Sequence, residues 1–265
     1  MRVVSWNCRR ASAQSSVWDH LLDLAPDLAL LQEVSHIPQQ VQQHYKIVQK
    51  FPTGKNGSPQ RFMTTILVRG SVGNPIMLQG PAPWVDKEIE NFAGNLVGVE
   101  VQPEHGPKLR VMNVYSPAWP VDKKQLADVD VSSVRLTQNR DVWVGDLLWA
   151  ALSRIKPQPD ECWIIGGDFN LCETFDSWRG GPRGNREYLD RLAALGLVDC
   201  LRYTKEALTP TFRTPKGTIT AQLDYLFVTD ILLTQLVRCD VGSHEDIFEQ
   251  GLSDHLPLVA DFALE

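Results

Sequence analysis

Short apolar runs bounded by polar or turn-forming residues recur along the chain, and this pattern predicts buried β-strands. The clearest runs are residues 3–6, 28–31, 63–68, 110–114, 162–165 and 258–262, with further strands expected at about 45–49, 95–102 and 222–227. Apolar residues at helical spacing instead predict helices over 15–24, 139–155 and 189–195, which end near Pro26, Pro157 and Gly196. The segment 116–136, with two prolines near its start, is predicted to be mostly loop.

The order of these elements indicates a fold class. Strands alternate with helices in the outer parts of the sequence and form hairpins in the middle, around the loop 52–59 and the turn 103–107. This order predicts an α/β (α+β) protein in which two β-sheets pack face to face with helices outside. Because the candidate site residues run from Asn7 to His255 without a low-complexity linker, we expect one domain spanning residues 1–265.

Several predicted strands end on a carboxylate or a carboxamide. Asn7 follows the first run, Glu33 follows the second, and Asp168 and Asn170 follow the run at 162–165. The intervening Gly166-Gly167 pair is expected to let the backbone turn at the end of that strand. An acid beside an amide can hold and activate a water molecule near a phosphate, although an Asx-turn that only closes a strand would look the same.

Two further candidates lie near the carboxyl end of the chain. Asp224 stands inside an apolar run, and His255 follows Asp254 just before the last strand. An ionised acid in a buried strand is costly unless it is paired, and an imidazole partner would satisfy it while raising the pKa of the histidine. A lone histidine in this position is commonly structural, so a functional pair requires that the fold bring these two residues together.

Composition narrows the partners and the compartment. A net charge of −6 argues against a broad basic surface for long nucleic acid, although local basic loops can still contact phosphates. The five cysteines are an odd number without zinc-site spacing, which predicts reduced thiols and buried roles for Cys8 and Cys172. No apolar run approaches the length of a membrane span, and the chain begins at once with a strand, so we expect a soluble, cytoplasmic protein.

Five short segments, in their order along the chain, together resemble the endonuclease/exonuclease/phosphatase superfamily, which includes DNase I, exonuclease III, inositol polyphosphate 5-phosphatases and neutral sphingomyelinases. The matching segments are Trp6-Asn7, Leu31-Gln32-Glu33, Gly167 to Asn170, Leu223 to Tyr225 and Ser253 to His255. The resemblance implies the DNase I-like four-layer α/β sandwich. It also implies metal-dependent hydrolysis of a phosphoester by in-line attack of an activated water molecule.

A hard divalent cation prefers oxygen ligands, and Mg²⁺ is commonly held by one or two carboxylates and several water molecules. Glu33, at the end of an apolar strand, is either solvated or a metal ligand, and the resemblance favours the ligand. It also implies that Asn7 holds Glu33 or a ligand water molecule and that Asp254 completes the metal side. We therefore expect Mg²⁺ as the cofactor, with Mn²⁺ as a substitute.

The same resemblance assigns catalytic roles. It implies that Asp168 orients and deprotonates the attacking water, and that Asn170 fixes Asp168 and the phosphate. His255, paired with Asp224, would neutralise the developing charge. Tyr115 matches a tyrosine that binds phosphate in the exonuclease III branch.

The substrate is less well defined by the sequence. Gly196 to Arg202 resembles a segment of the exonuclease III branch, but Ala221 stands where abasic-site enzymes of that branch carry a tryptophan. A pocket for an extruded abasic sugar is therefore not expected. The loop with Arg179, Arg183 and Arg186 could contact a nucleic-acid backbone or a phosphorylated small molecule, or be merely solvated.

We expect a monomeric nuclease acting on DNA or RNA, without an obligate protein partner or a membrane span. The alternative is a hydrolase of the same chemistry that acts on a small phosphoester or a phospholipid headgroup. A binding protein that has lost catalysis is disfavoured because every proposed catalytic residue is present.

Overall fold

The computed structural model describes residues 1–264 and confirms a sandwich of two mixed β-sheets flanked by helices. The strands are β1 (Arg2–Ala11), β2 (Leu28–Val34), β3 (Lys46–Lys50), β4 (Met63–Val68), β5 (Gly70–Pro75), β6 (Leu96–Pro103), β7 (Leu109–Tyr115), β8 (Trp163–Asp168), β9 (Val198–Asp199), β10 (Phe212–Arg213), β11 (Ile219–Ala221), β12 (Asp224–Val228), β13 (Leu236–Val241) and β14 (Leu258–Phe262). The first sheet has the order β13-β14-β1-β2-β4-β3, and the second has the order β5-β6-β7-β8-β12-β9. Strands β10 and β11 form a separate hairpin.

The α-helices lie between strands in the chain. They are α1 (Val17–Leu24), α2 (Gln39–Gln42), α3 (Pro83–Asn91), α4 (Val144–Ile155), α5 (Asn185–Ala193), α6 (Cys200–Lys205) and α7 (Asp230–Leu233). None of the helices formed by residues 1–264 is both long enough and apolar enough to cross a membrane.

The inward faces of the two sheets form a shared apolar core. It joins residues of β1, β2 and β4 to residues of β6, β7, β8 and β12, among them Val3, Leu30, Ile66, Val111, Ile164 and Leu226. The outer faces are covered by helices, with α4 and α5 on the second sheet and α1 on the first. Burying one such aliphatic side chain contributes roughly 1.5–3 kcal/mol, so the four layers are held mainly by apolar packing.

Most predicted elements are present with small shifts in their ends. Strands β4 and β14 have the predicted bounds, and 116–136 contains no helix or strand. Helix α4 begins at Val144 rather than at residue 139, and β12 begins at Asp224 rather than at residue 222. Strand β5 and helices α2 and α3 lie in segments for which the apolar pattern predicted no element.

The expected turn at Gly166-Gly167 is wrong, because β8 continues through both glycines to Asp168. Gly167 has a φ of 143°, and a Cβ atom there would lie 1.9 Å from the carbonyl oxygen of Val114. The glycine therefore allows β8 to lie close against the parallel strand β7, which fixes the position of Asp168.

Candidate active site

Three adjacent strands of the second sheet align three of the predicted site residues in one row. Tyr115 at the end of β7 is in register with Asp168 at the end of β8, and Asp168 is in register with Asp224 at the start of β12. All three residues are buried. Directly opposite residues of neighbouring strands project from the same face of a sheet, so this register brings the tyrosine and both carboxylates together.

Asp168 is the centre of the hydrogen-bond network. Its Oδ2 accepts hydrogen bonds from the Asn7 side chain at 3.0 Å and the Asn170 side chain at 3.1 Å. Its Oδ1 accepts the backbone N–H of Asn170 at 2.9 Å. Burial raises the pKa of Asp168 to about 7, although the charge of His255 and the hydrogen bonds from the two asparagines oppose the increase. The raised pKa makes Asp168 a stronger proton acceptor than an exposed aspartate.

The predicted pair of Asp224 and His255 is present in the structure. His255 Nδ1 lies 2.8 Å from Asp224 Oδ2, and the same oxygen accepts a hydrogen bond of 2.6 Å from the Thr211 hydroxyl. Burial alone would lower the pKa of His255, but the charges of Asp224 and Asp168 and the hydrogen bond to Asp224 raise it to about 10. The imidazole is therefore a cation at neutral pH.

The other ring nitrogen of His255 faces the candidate base. His255 Nε2 lies 4.0 Å from Asp168 Oδ2, which is too long for a hydrogen bond. One ligand atom from each of Asp168, Asp224 and His255 lies within 4.8 Å of the others. Because Asp224 and His255 already bond to each other, we interpret this cluster as an acid–imidazole pair beside a base rather than as an open metal site.

Glu33 lies on the other side of Asn7. Its Oε1 accepts hydrogen bonds from the Tyr115 hydroxyl at 3.1 Å and from the Asn7 side chain at 3.4 Å. Its Oε2 has Arg10 Nε at 3.8 Å, beyond hydrogen-bond distance, and its side chain is 20% exposed. Two neutral donors thus orient the carboxylate while one oxygen stays accessible. This donor set fits a hard divalent cation.

Asp254 lies at the rim of this arrangement. Its side chain is 36% exposed, and its closest charged partner is Arg9, at 3.9 Å. Within residues 1–264 it makes no side-chain hydrogen bond to another predicted site residue. The structure therefore groups Asn7, Glu33 and Tyr115 directly and leaves the metal role of Asp254 a prediction.

Left-handed backbone conformations concentrate around the site. Arg9, Arg10, Glu33 and Asn170 have φ values of 47°, 59°, 55° and 50°. Such conformations cost of order 1 kcal/mol for residues with a Cβ atom, and they cluster where side chains must be aimed. The register of the β1–β2 pair also shifts between Asn7 and Ala11. Strand irregularity therefore directs Glu33 and the two arginines toward the site.

Sequence reasoning missed two hydroxyl residues that position the site. Thr211 also accepts the backbone N–H groups of Leu223 and Asp224, at 3.0 and 3.2 Å. Ser253 donates to the carbonyl of Asn7 at 2.7 Å and accepts the N–H of His255 at 3.1 Å. Ser253 belongs to one of the five matching segments, whereas Thr211 stands between Pro210 and Phe212 and carries no sequence signal.

Two cysteines and one arginine considered from the sequence lie in positions that favour structural roles. Cys8 and Cys172 are buried, as predicted. Of the three arginines assigned to one loop, Arg186 lies instead in the first turn of α5, where it pairs with Glu173 at 3.0 Å and with Asp190 at 2.9 Å. Its guanidinium is therefore already neutralised by protein carboxylates, which favours a structural role for that residue.

Comparison with known proteins identifies a family that matches most of the chain. The family model described as Endonuclease/Exonuclease/phosphatase family matches residues 4–255. No curated protein sequence matches the chain significantly.

Among solved structures, an AP endonuclease from Archaeoglobus fulgidus has a TM-score of 0.70 at 18% identity, over 100% of both chains. The 3'-5' exonuclease NExo from Neisseria meningitidis has a TM-score of 0.67 at 18% identity, over 99% of both chains. The catalytic domain of APE2 from Xenopus laevis has a TM-score of 0.67 at 17% identity, over 99% of this chain and 91% of that one. At these identities the structures share the fold, and the family model covers nearly the whole chain; the chain therefore belongs to the Endonuclease/Exonuclease/phosphatase family.

Proposed function

We propose that this protein is a divalent-metal-dependent phosphodiesterase that cleaves nucleic acid by in-line attack of water. The observation that carries the proposal is the arrangement of Asp168 and His255. A buried carboxylate, whose pKa is raised by burial, lies 4.0 Å from the free nitrogen of a histidine whose pKa is raised by the charges of Asp224 and Asp168. A base and a cation that face the same point can activate a water molecule and bind the phosphate that it attacks.

Asp168 acts as the general base in this mechanism. Its raised pKa lets it accept a proton from water near neutral pH, and Asn7 and Asn170 hold its oxygens in place. Asn170 is itself fixed, because its side-chain amide also donates to the carbonyl of Ser116 at 2.8 Å. The base therefore keeps one orientation while the water molecule and the phosphate bind.

His255 stabilises the charge that develops on the phosphate. Asp224 holds Nδ1, so the proton on Nε2 is available to a phosphoryl oxygen. Tyr115 donates to Glu33 and is positioned to bind phosphate once that bond is exchanged. A preorganised cation of this kind typically contributes about 10²–10³-fold to the rate.

Glu33 and Asn7, with Asp254 at the rim, would hold the divalent cation, which we expect to be Mg²⁺ with Mn²⁺ as a substitute. When bound, such a cation supplies a Lewis acid that neutralises charge on the phosphate and on the departing oxygen. The accessible Oε2 of Glu33 and the neutral donors to its Oε1 support this assignment.

Nucleic acid is supported as the substrate class by the kinds of protein with this fold. One similar structure, at 18% identity and a TM-score of 0.66, is described as the 3' phosphatase NExo bound to a product DNA hairpin. The AP endonuclease and the 3'-5' exonuclease also align with the chain over its whole length. Small phosphoesters and phospholipid headgroups are the alternatives.

The test is hydrolysis of bis-p-nitrophenyl phosphate with Mg²⁺, with Mn²⁺ and with EDTA, followed by a panel of DNA, RNA, phosphomonoesters and sphingomyelin. We expect turnover that requires a divalent cation and falls by about 10²–10⁴-fold in the Asp168→Asn variant. Full turnover in a verified metal-free preparation would contradict the metal role. Activity on sphingomyelin or phosphomonoesters alone would contradict the nucleic-acid assignment.

A further inference from the structure

A basic depression beside the candidate active site has no part in the mechanism above. Its volume is about 620 Å³, and we call it the basic groove, after Arg10, Lys55, Arg61, Phe62 and Trp119 in its lining. The other lining residues are glycine, proline or neutral polar residues, so no carboxylate borders it. A concavity of this size lies within the range of about 300–1,000 Å³ that is typical of ligand sites.

Two of the three cationic side chains in the groove are free to bind an anion. Lys55 and Arg61 are exposed, and within residues 1–264 neither forms an ion pair with a carboxylate. Some other cations are paired, for example Lys108 with Glu100 at 2.8 Å and Lys123 with Asp141 at 2.7 Å, whereas Lys55 and Arg61 line a concavity without a carboxylate. Two unpaired cations that line one depression, in a protein of net charge −6, form a local positive site.

Arg10 connects the groove to the active site. Its Nε lies 3.8 Å from Glu33 Oε2, and its guanidinium lies 5.7 Å from the centre of the Phe62 ring. The Phe62 ring in turn contacts Tyr115 edge to face, at a centroid distance of 5.4 Å. The groove and the candidate catalytic residues therefore share a wall, and a polymer bound in one can continue into the other.

Trp119 adds an aromatic surface to this positive site. The residue is partly exposed and borders both the basic groove and an adjoining depression of about 710 Å³, whose lining has mixed charge, with Lys124 beside Glu88 and Asp122. Cations that contact phosphates, alternating with an aromatic ring on which a base can stack, are the usual composition of a site for single-stranded nucleic acid. In a duplex the bases are already stacked on one another and cannot cover the indole.

We propose that the basic groove binds an unpaired segment of a nucleic-acid strand next to the bond that is cleaved. Lys55 and Arg61 contact its phosphates, and Trp119 stacks on one of its bases. The inference rests on the proposed function, because it makes the groove an extension of that active site. It narrows the substrate to nucleic acid with a single-stranded region.

The first measurement is equilibrium binding of a fluorescent single-stranded oligonucleotide to the full chain in the Asp168→Asn background with Mg²⁺. The Lys55→Ala/Arg61→Ala variant removes two phosphate contacts and should weaken binding at least tenfold. The negative slope of log Kobs against log [salt] should become shallower by about 1.4, because each contact on a single strand contributes about 0.7. Trp119→Ala should weaken binding by roughly fivefold or more and leave that slope unchanged, because stacking releases no counterions.

A matched control removes one lysine and one arginine elsewhere. Lys46 is exposed at the start of β3, opposite Val68 and far along the sheet from Glu33, and Arg154 is exposed on α4. The Lys46→Ala/Arg154→Ala variant has the same net charge as the groove variant and should keep the wild-type affinity and salt slope. Equal weakening in both double variants would overturn the proposal, because net charge alone would then explain it.

Cleavage assays separate this inference from the proposed function. Failure of the wild-type protein to hydrolyse bis-p-nitrophenyl phosphate with Mg²⁺ would reject the phosphodiesterase itself. If the wild-type protein is active, Lys55→Ala/Arg61→Ala should lose at least about fivefold more kcat/KM on the oligonucleotide than on the small diester. An equal loss of kcat/KM on both substrates would reject the binding role of the groove and leave the phosphodiesterase assignment intact.

A second nucleic acid and a lipid competitor test which kind of ligand the groove binds. Trp119→Ala should weaken the binding of a blunt duplex less than the binding of the single strand. An equal loss of affinity for both would contradict binding of an unpaired segment. Vesicles containing a phosphoinositide should not compete with the oligonucleotide, and competition that is lost in Lys55→Ala/Arg61→Ala would assign the groove to a lipid headgroup. The substituted lysines and arginines are exposed and Trp119 is partly exposed, so the circular dichroism of every variant should match that of the Asp168→Asn parent, which shows that a loss of binding is not a loss of folding.

Discussion

Asp224 illustrates how the environment of one carboxylate decides its role. The residue is completely buried, and its Oδ2 receives both the Thr211 hydroxyl and the His255 ring. A buried ionised acid is costly unless charge and hydrogen bonds compensate it, and here both come from side chains of other elements. Asp224 therefore acts on the reaction through His255, as a positioning residue.

This dependence gives a prediction for a double-mutant cycle. His255→Ala should lower kcat by about 10²–10⁴-fold, and Asp224→Asn should lower it less, because the imidazole remains but loses its anionic partner. The double variant should be no worse than about His255→Ala alone, since Asp224 then has nothing to orient. The measurement is kcat on bis-p-nitrophenyl phosphate for the three variants, with circular dichroism as the folding control. A double variant that loses the product of the two single effects would show that the residues act independently.

For single residues, the sequence predicts a functional pairing where burial of that residue type would be unfavourable without a partner. An acid inside the apolar run of β12 requires a partner, and the pairing with His255 that this predicts is present. The register that sets Asp168 opposite Asp224 could not be predicted, because it depends on how β8 and β12 pair. Thr211 could not be predicted either, since a single threonine is unremarkable until its hydroxyl is seen to bond Asp224.

Helix α4 also depends on a buried carboxylate, which here caps the helix. Its first turn is closed by Asp146, whose Oδ2 accepts the backbone N–H of Trp143 at 2.8 Å. The residue is 1% exposed, and its Oδ1 has no hydrogen-bond partner. Burial raises the pKa of Asp146 to about 7, although the hydrogen bond from Trp143 opposes the shift. The cap stabilises the helix, but its ionised form is unfavourable in the folded protein.

The consequence is a pH dependence of stability. The folded pKa is above the unfolded value of about 4, so the stabilising contribution is complete below about pH 4 and is lost as the pH rises through about 7. Asp146→Asn keeps the acceptor for Trp143 and removes this titration. Relative to wild type, the variant should gain stability as the pH rises from 4 to 7, by up to about 4 kcal/mol, because each pKa unit corresponds to about 1.4 kcal/mol. Chemical denaturation at several pH values measures it, and parallel pH profiles for the two proteins would contradict the assignment.

Elements with a strong apolar pattern were predicted well, and those without one were not. Strand β4, buried along its whole length, has the predicted bounds. Strand β5 is mostly exposed and contains two glycines, an asparagine and a proline, so neither periodicity nor propensity marks it. It forms because its backbone pairs with the edge of β6, which is a tertiary interaction that local sequence does not encode.

At the scale of the whole molecule, the candidate site depends on the packing of the two sheets. The first sheet supplies Asn7 and Glu33, the second supplies Asp168, and the Asn7 side chain bonds to both carboxylates at 3.4 and 3.0 Å. Gln32 reinforces the junction, because it donates a hydrogen bond of 2.7 Å to Asn113 of the second sheet. Separation of the sheets would therefore dismantle the site, so activity and global folding should be lost together.

The shape of the substrate-facing side gives the last prediction, which concerns damaged DNA. Ala221 is 4% exposed and packs with Cys172 and Leu223, and Phe212 covers the ring of His255 at a centroid distance of 4.8 Å. A methyl group at position 221 presents no aromatic wall against which an extruded abasic sugar could lie. If the protein cleaves DNA as proposed, kcat/KM for an abasic duplex should exceed that for the matched intact duplex by less than about tenfold. The measurement uses two duplexes that differ only at the abasic position, under identical Mg²⁺ and salt. A preference of several hundredfold would mean that another side chain, with Phe212 the first to test, forms the missing wall.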